Sequence, residues 1–230
     1  MQLSLLTDDR TTILETLQKR LLQRFGPWVR ARRRRSVGTL IHGLVGWKTR
    51  TELTNTIVDA LEAKFGTWEA LRDADVRRVL VVIAPVTFAD LKAPRIQAAL
   101  AEITRCQGRL SLDHLSAMTV PASVAWLGTL PGVGRKIAAE VLNASSFNRV
   151  ALVIDGHHHR VMRRLGLVRA SATVSDIYDT LMPLDWTGGD LDMHHMLVKQ
   201  LGQTICRHDV PECDRCPLID PCATGRARVA

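Results

Sequence analysis

The sequence predicts an all-α fold. Three observations carry that prediction. Apolar residues recur at three- and four-residue spacing along most of the chain, Gly and Pro fall between those stretches, and no paired-strand signal occurs. Ile13, Leu14, Leu17, Leu21 and Phe25 mark an amphipathic first helix, stopped by Gly26-Pro27. Leu53, Ile57, Val58, Leu61 and Phe65 mark the next, with Gly66 as its expected C-cap. The same periodicity predicts helices over 67–80, 92–105, 112–118, 121–129, 134–145, 157–165, 173–182 and 190–205. "VLVVIAPV" (79–86) and "VALVID" (150–155) have strand-like composition, but neither has a partner joined by a hairpin turn.

With 230 residues and 46% hydrophobic content, the chain can bury a real core in one large domain or two small ones. A disulfide framework is therefore unnecessary. A net charge of +8 and a pI near 9.8 suit a polyanionic partner, although a merely basic soluble protein is the plainer reading of charge alone. Residues 1–12 lack the basic and apolar regions of a secretory signal, and the run 79–86 is too short to span a bilayer and contains Pro85. The expectation is a cytoplasmic protein with no membrane partner, whose thiols stay reduced. Arg30 and Arg32 to Arg35 form the one dense basic run, read as a solvated or phosphate-facing link between helices.

Two stretches carry chemistry. In "LGTLPGVGRKIAAEVL" (127–142) an apolar helix ends near Gly128, a short turn follows, and a new helix starts at about Gly134. Pro131 fixes one turn dihedral, while Gly132 and Gly134 permit positive φ and remove side chains from the turn surface. The open N–H groups of the second helix can then receive an anion, which on DNA is a phosphate. A tight helical corner is the plainer reading of this turn taken alone. Lys136 follows Gly134 by two residues, and Asp155 ends the next apolar segment, close enough in sequence to be expected at the same cleft. The plainer readings are a phosphate-binding lysine and a helix N-cap.

The other stretch is "CRHDVPECDRCPLIDPC" (206–222), whose cysteines are spaced C-x6-C-x2-C-x5-C. Cys206, Cys213, Cys216 and Cys222 suit a metal better than disulfides in a reducing compartment. Structural zinc usually takes two close pairs, of which only one is present; thiolates also hold iron–sulfur clusters. Cys106, without a partner in sequence, is expected to be a small buried residue.

Taken in order, "LPGVGRKIAAEVLN", "VIDGHHHRV" and the cysteine spacing resemble the endonuclease III branch of the helix-hairpin-helix DNA glycosylases, over about residues 36–222. The resemblance implies two helical lobes flanking a DNA-binding cleft. Residues 37–148 form a six-helix barrel that includes the hairpin (121–145); residues 1–36 and 149–230 form the other lobe, with a [4Fe–4S] cluster held by the four cysteines of 206–222. It further implies excision of a damaged base, an oxidised pyrimidine by family default, followed by abasic-site lyase cleavage. Lys136 is then the amine nucleophile and Asp155 the carboxylate that stabilises positive charge on the sugar. The implied partner is double-stranded DNA with a damaged base or abasic site, bound by a monomer that associates with the nucleoid.

The DNA contacts implied are Gly132, Gly134 and Arg135 in the hairpin, Trp47 and Lys48 in one wedge loop, Thr87 and Phe88 in a second, and His157. Here the chain departs from the family pattern. Lys48 replaces a glutamine and cannot accept a hydrogen bond from an orphaned base; Gly156 replaces a threonine after Asp155. Trp47 has a core position as its plainer reading, and Phe88 is either a wedge or a core residue. Consecutive helical side chains diverge by about 100°, so His157, His158 and His159 are read as phosphate-proximal or partly buried rather than as one metal site. Two other readings remain open: the same fold acting on a mismatched or alkylated base or without lyase activity, and a non-catalytic iron–sulfur DNA-binding protein.

Overall fold

The computed structural model describes residues 2–181 and 185–229, with side chains from Thr12 onward. Its helices are α1 (Gln2–Phe25), α2 (Ser36–Gly46), α3 (Thr51–Phe65), α4 (Trp68–Asp73), α5 (Val76–Ile83), α6 (Ala89–Gln107), α7 (Val120–Leu127), α8 (Arg135–Asn143), α9 (Gly156–Leu165), α10 (Val174–Leu181), α11 (Gly188–Thr204) and α12 (Ala223–Val229). Short 3₁₀ turns lie at Asp113–Ala117 and Cys213–Arg215. No strand occurs among the described residues. The fold is all-α, and the end of the helix expected over 173–182 lies outside the described residues. No helix among the described residues is long and apolar enough to cross a membrane.

The chain divides into two compact units, Met1–Ala31 with Leu152–Ala230, and Arg32–Ala151. In the second unit helix ends follow from local chemistry. Gly66, at φ 72°, closes α3 by donating its N–H to Glu62 O; Thr67 then N-caps α4 through Ala70 N. The single helix expected over 67–80 is instead two, because Ala74 is extended and Asp75 caps a fresh start by accepting from Arg77 N. "VLVVIAPV" therefore lies mostly on α5, burying Val79 and Ile83 while Val81 faces solvent.

Helix α2 has no counterpart in the sequence reading. "SVGTLIHGLVG" is buried at nearly every position, so it shows no polar stripe to reveal a helical period. It packs on α3, α6 and α8. A Cβ at Gly43 would lie 2.8 Å from Ile137 Cγ2, so only glycine permits this approach to α8.

The unit Met1–Ala31 with Leu152–Ala230 builds its core from Leu14, Leu17 and Leu21 of α1 against Val161, Met162 and Leu165 of α9 and Leu197, Val198 and Leu201 of α11. The basic run is largely structural. Arg30 makes a bidentate pair with buried Asp192 at 2.7 and 3.0 Å in this unit. In the other unit Arg33 donates to Asn143 O, and Arg34 pairs with Asp59 at 2.7 Å.

Within the first of these units α9 and α11 meet where α11 has no side chain: a Cβ at Gly202 would fall 2.7 Å from His157 Cβ. Because the obstacle is itself a Cβ, rotamer change cannot relieve it. Gly202→Ala is expected to cost roughly 1–3 kcal/mol of stability through overpacking, measured by urea unfolding. A variant as stable as the parent would show that α9 and α11 are not in this close packing.

Candidate functional site

The hairpin between α7 and α8 is built on one turn. Val133 N donates to Leu130 O at 3.1 Å, with Pro131 and Gly132 at the turn's central positions and Gly132 at φ 79°. Gly134 does not use the positive φ that glycine allows. It is extended, N-caps α8 with no side chain, and a Cβ there would meet nothing within 4 Å. The first turn of α8 is thereby left open beneath exposed Arg135 and half-buried Lys136.

Lys136 sits on α8 one turn before Glu140, and Nζ donates to Glu140 Oε2 at 2.6 Å. Glu140 Oε1 lies 3.3 Å from His42 Nδ1 of α2, and His42 Nε2 lies 3.1 Å from Asn55 Oδ1 of α3. Burial pushes the Glu140 carboxyl upward, but Lys136 and His42 outweigh it and hold the group well below the usual carboxylate range. Glu140 and His42 escape a sequence reading. The i, i+4 spacing of Lys136 and Glu140 was available, but helix α2 was not.

In the same unit Trp47, in the loop after α2, stacks on Phe88, in the loop before α6. The Trp47 and Phe88 rings lie 5.2 Å apart at 28°, and Lys48 Nζ stands 5.5 and 5.6 Å from the two centroids. Trp47 is 45% exposed and Phe88 41%, so neither is a core residue; Thr87 is also exposed. Lys48 and Phe88 both hold positive φ, at 51° and 59°, an arrangement that non-glycine residues keep only where neighbours enforce it. Around Lys48 the backbone is held by Lys92, 3% exposed, whose Nζ donates to Val45 O, Trp47 O and Thr49 Oγ1 at 2.7, 2.6 and 2.9 Å. Burial lowers its pKa to about 8. A lysine standing four residues before Ile96 on an otherwise apolar stripe was the available signal.

In the other unit Asp155 N-caps α9, its Oδ1 accepting from His158 N at 2.9 Å, while Oδ2 lies 4.0 Å from His195 Nε2. Burial raises its pKa, but His195, the His158 N–H and the other nearby histidines together bring it below the usual carboxylate value. The histidine triplet diverges. His157 rests on Gly202 with Nδ1 3.1 Å from an Arg160 guanidinium nitrogen, and His159 Nε2 reaches Ala172 O at 2.7 Å. Buried His158 contacts Val153 O through Nδ1 and His194 through Nε2, at 3.2 and 3.3 Å. His194 Nδ1 in turn lies 3.0 Å from Gln18 Oε1.

The four cysteines of 206–222 line one cavity together with Ile205, Pro211 and Ile219. Cys206, Cys216 and Cys222 also pack on the core of their unit. Burial, with the neighbouring sulfurs, pushes the Cys216 thiol up to about 11 and raises Cys222 as well. Donors already face the sulfurs: Gly225 N to Cys222 Sγ at 3.3 Å and Arg164 to Cys206 Sγ at 3.4 Å. Crowded, half-buried thiols with such donors fit a bound cationic centre that takes thiolates. The sulfurs surround a shared space; no group of three or more His, Cys, Asp or Glu among the described residues is set to hold a single metal ion. Arg160 and Arg164 fix the loop's start by donating to the carbonyls of Gly202, Cys206, Arg207 and His208. Cys106 departs from expectation: it is exposed near the end of α6, with Sγ 3.5 Å from Glu102 Oε1.

Two measurements check this geometry. Lys92→Met would leave three acceptors without their donor and is expected to cost roughly 2–4 kcal/mol, with faster proteolysis at Lys48. A parental urea midpoint and cleavage rate would remove Lys92 as the support of the loop. His158 is lowered to about 4 by burial, and His194 well below its ordinary value. An unfolded imidazole titrates near 6.5, so between these values the unfolded chain binds protons that the folded one refuses. His158 alone should therefore lower stability by roughly 3 kcal/mol as pH drops from 6.5 toward 4, and His194 adds to that fall. His158→Gln should make that dependence shallower in thermal melts while leaving the part due to His194, and an equally steep fall in the variant would contradict the assignment.

Comparison with known proteins extends the geometry. Residues 41–184 match the model of the HhH-GPD superfamily base excision DNA repair proteins. The chain is 36% identical to Endonuclease III of Bacillus subtilis over 47% of its own length, and spans about half (49%) of that relative. It is 31% identical to Endonuclease III of Thermotoga maritima, covering 82% of this chain and 83% of the relative. A solved non-covalent Endonuclease III–DNA complex shares the fold at TM-score 0.79 and 24% identity, covering 96% of this chain and 98% of that one. With its glycine hairpin before α8 and its all-helical architecture, the chain belongs to the HhH-GPD superfamily of base excision DNA repair proteins.

Proposed function

We propose that this protein excises a damaged base from duplex DNA and then cleaves the strand at the abasic site, with Lys136 as nucleophile and Asp155 as charge-stabilising carboxylate. The observation that carries the proposal is Lys136 on the first turn of α8, directly after a hairpin that leaves the helix N-terminus open. Family membership supplies DNA as the polymer, and the net charge of +8 suits it. A base must leave the stack before its glycosidic bond is reached, at a cost of roughly a few kcal/mol. The α8 N-terminus with Arg135 holds a phosphate, and Trp47, Lys48 and Phe88 fill the gap in the stack, Phe88 as an apolar wedge.

The chemistry then needs two groups. As the glycosidic bond breaks, its electron pair departs with the base and positive charge grows on the sugar, which Asp155 stabilises. The Lys136 amine, having lost a proton, forms the new bond to C1′. Opening of the sugar ring gives an iminium; loss of a C2′ proton then expels the 3′ phosphate. Cys206, Cys213, Cys216 and Cys222 would hold a [4Fe–4S] cluster, whose contribution would be structural. The protein acts as a monomer.

The lesion is an oxidised pyrimidine in the first reading. Lys48 over Trp47 and Phe88 favours a second: it presents only donors to the orphaned base, so opposite-base and lesion preference differ from those of relatives with a neutral amide there. Duplexes carrying single modified bases distinguish the two readings.

Borohydride reduction in the presence of an abasic duplex is expected to trap a covalent complex with the parent protein. Lys136→Gln should lower trapping and strand nicking by at least about 10³-fold; undiminished trapping in this variant would overturn the assignment.

A further inference from the structure

We propose that Glu140 is a positioning residue for the Lys136 amine, a buried carboxylate anchored by His42 that aims the side chain and holds it in its ammonium form until substrate is bound. This inference rests on the reading of Lys136 as the nucleophile and adds a residue to it.

The geometry separates this pair from an ordinary surface salt bridge. Glu140 is only 14% exposed at its side chain while Lys136 is 41% exposed, so a solvent-facing amine is tethered to an interior anchor. Both carboxylate oxygens are engaged, one by Lys136 Nζ at 2.6 Å and one by His42 Nδ1 at 3.3 Å. His42 is itself fixed from behind by Asn55.

Helix stability does not account for the pair. A cation in the first turn opposes the helix dipole, and Lys placed before Glu is the weaker order for an i, i+4 pair. Burying the carboxylate costs desolvation that such a pair roughly offsets and no more. What the arrangement does supply is orientation. A free lysine side chain samples many rotamers, worth up to about 2 kcal/mol in entropy, whereas this one is held along the face of α8.

The two helices packed most closely on α8 are α2, whose one titratable residue is His42, and α7, which carries none; on α8 itself Lys136 and Arg135 precede it. A carboxylate 2.6 Å from the nitrogen favours the ammonium, whose proton must pass to a water-borne base before the lone pair can bond to C1′. Replacing Glu140 by a neutral isostere removes that restraint. The amine then becomes reactive at lower pH.

The test follows trapping rate against pH with a duplex containing one abasic site, made by excising uracil. On this probe the amine nitrogen bonds to the C1′ aldehyde carbon, the oxygen leaves as water, and borohydride delivers hydride to the C=N bond. Glu140→Gln should lower the pH of half-maximal trapping by about 1–2 units, the range expected for loss of one adjacent opposite charge. Glu140→Asp, which keeps the charge but withdraws it by one methylene, should shift it less and reduce the plateau rate by about tenfold. Should Glu140→Gln melt below the assay temperature, the Asp variant and the parent alone decide the matter by their plateau rates. A midpoint within about 0.3 unit of the parent in Glu140→Gln, or a parental profile and plateau in Glu140→Asp, would overturn the inference while leaving Lys136 as nucleophile. Absence of any trapped complex with the parent at every pH would overturn the lyase reading, and this inference with it.

Discussion

The unit Arg32–Ala151 depends on the close approach of α2 to α8 at Gly43 and Ile137. Ile137 fills the space that a side chain at position 43 would occupy. That contact places His42, the neighbour of Gly43, beside Glu140, and Glu140 in turn holds Lys136. A van der Waals constraint in the core thus becomes a polar constraint at the surface. The nearby loop is held in a comparable way: Lys92 spends its donors on three backbone and side-chain acceptors so that Trp47 and Lys48 stay exposed with Phe88. In both places a charge is buried to hold another group outside, which costs stability and is retained where position matters.

The unit Met1–Ala31 with Leu152–Ala230 follows a different logic. Asp155 is held by buried His195, 4.0 Å from its Oδ2, and by the His158 N–H that the cap geometry supplies at 2.9 Å. Behind it the buried imidazoles of His158 and His194 are kept neutral by burial, which preserves a polar interior without adding charge. The cysteine loop rests on the same core through Cys206, Cys216 and Cys222, and the guanidinium groups of Arg160 and Arg164 tie its backbone to α9. Residues of α9 therefore serve the acid at one end and the thiols at the other.

Much of this was legible in sequence where one residue type dictates backbone geometry. Gly66 and the Pro131-Gly132 pair announced their turns because positive φ or a fixed dihedral leaves few alternatives, and the close spacing of four cysteines announced that they would line one space. Helix α2 was not legible, since a helix buried on all sides loses the polar stripe that reveals its period. Glu140 and Lys92 were hidden for a related reason. A charged residue in a helix reads as solvent-facing until its partner, supplied by another helix, is known. At Trp47 the plainer core reading fails and the exposed position implied by the resemblance is the one found, because the backbone around it is pinned by Lys92. Cys106, read as buried, lies on the solvent side of α6.

The lysines include Lys48 and Lys92, both close to the stacked aromatic pair and each an amine that chemistry alone would accept as a nucleophile. Position argues for Lys136: Lys92 is committed to three acceptors, and Lys48 lies over two aromatic rings. The most direct measurement is peptide mapping of the borohydride-reduced adduct with an abasic duplex by mass spectrometry. The sugar remnant should be found on the peptide containing Lys136 and on no other. A remnant on Lys48, on Lys92 or on the amino terminus would contradict the mechanism at its centre.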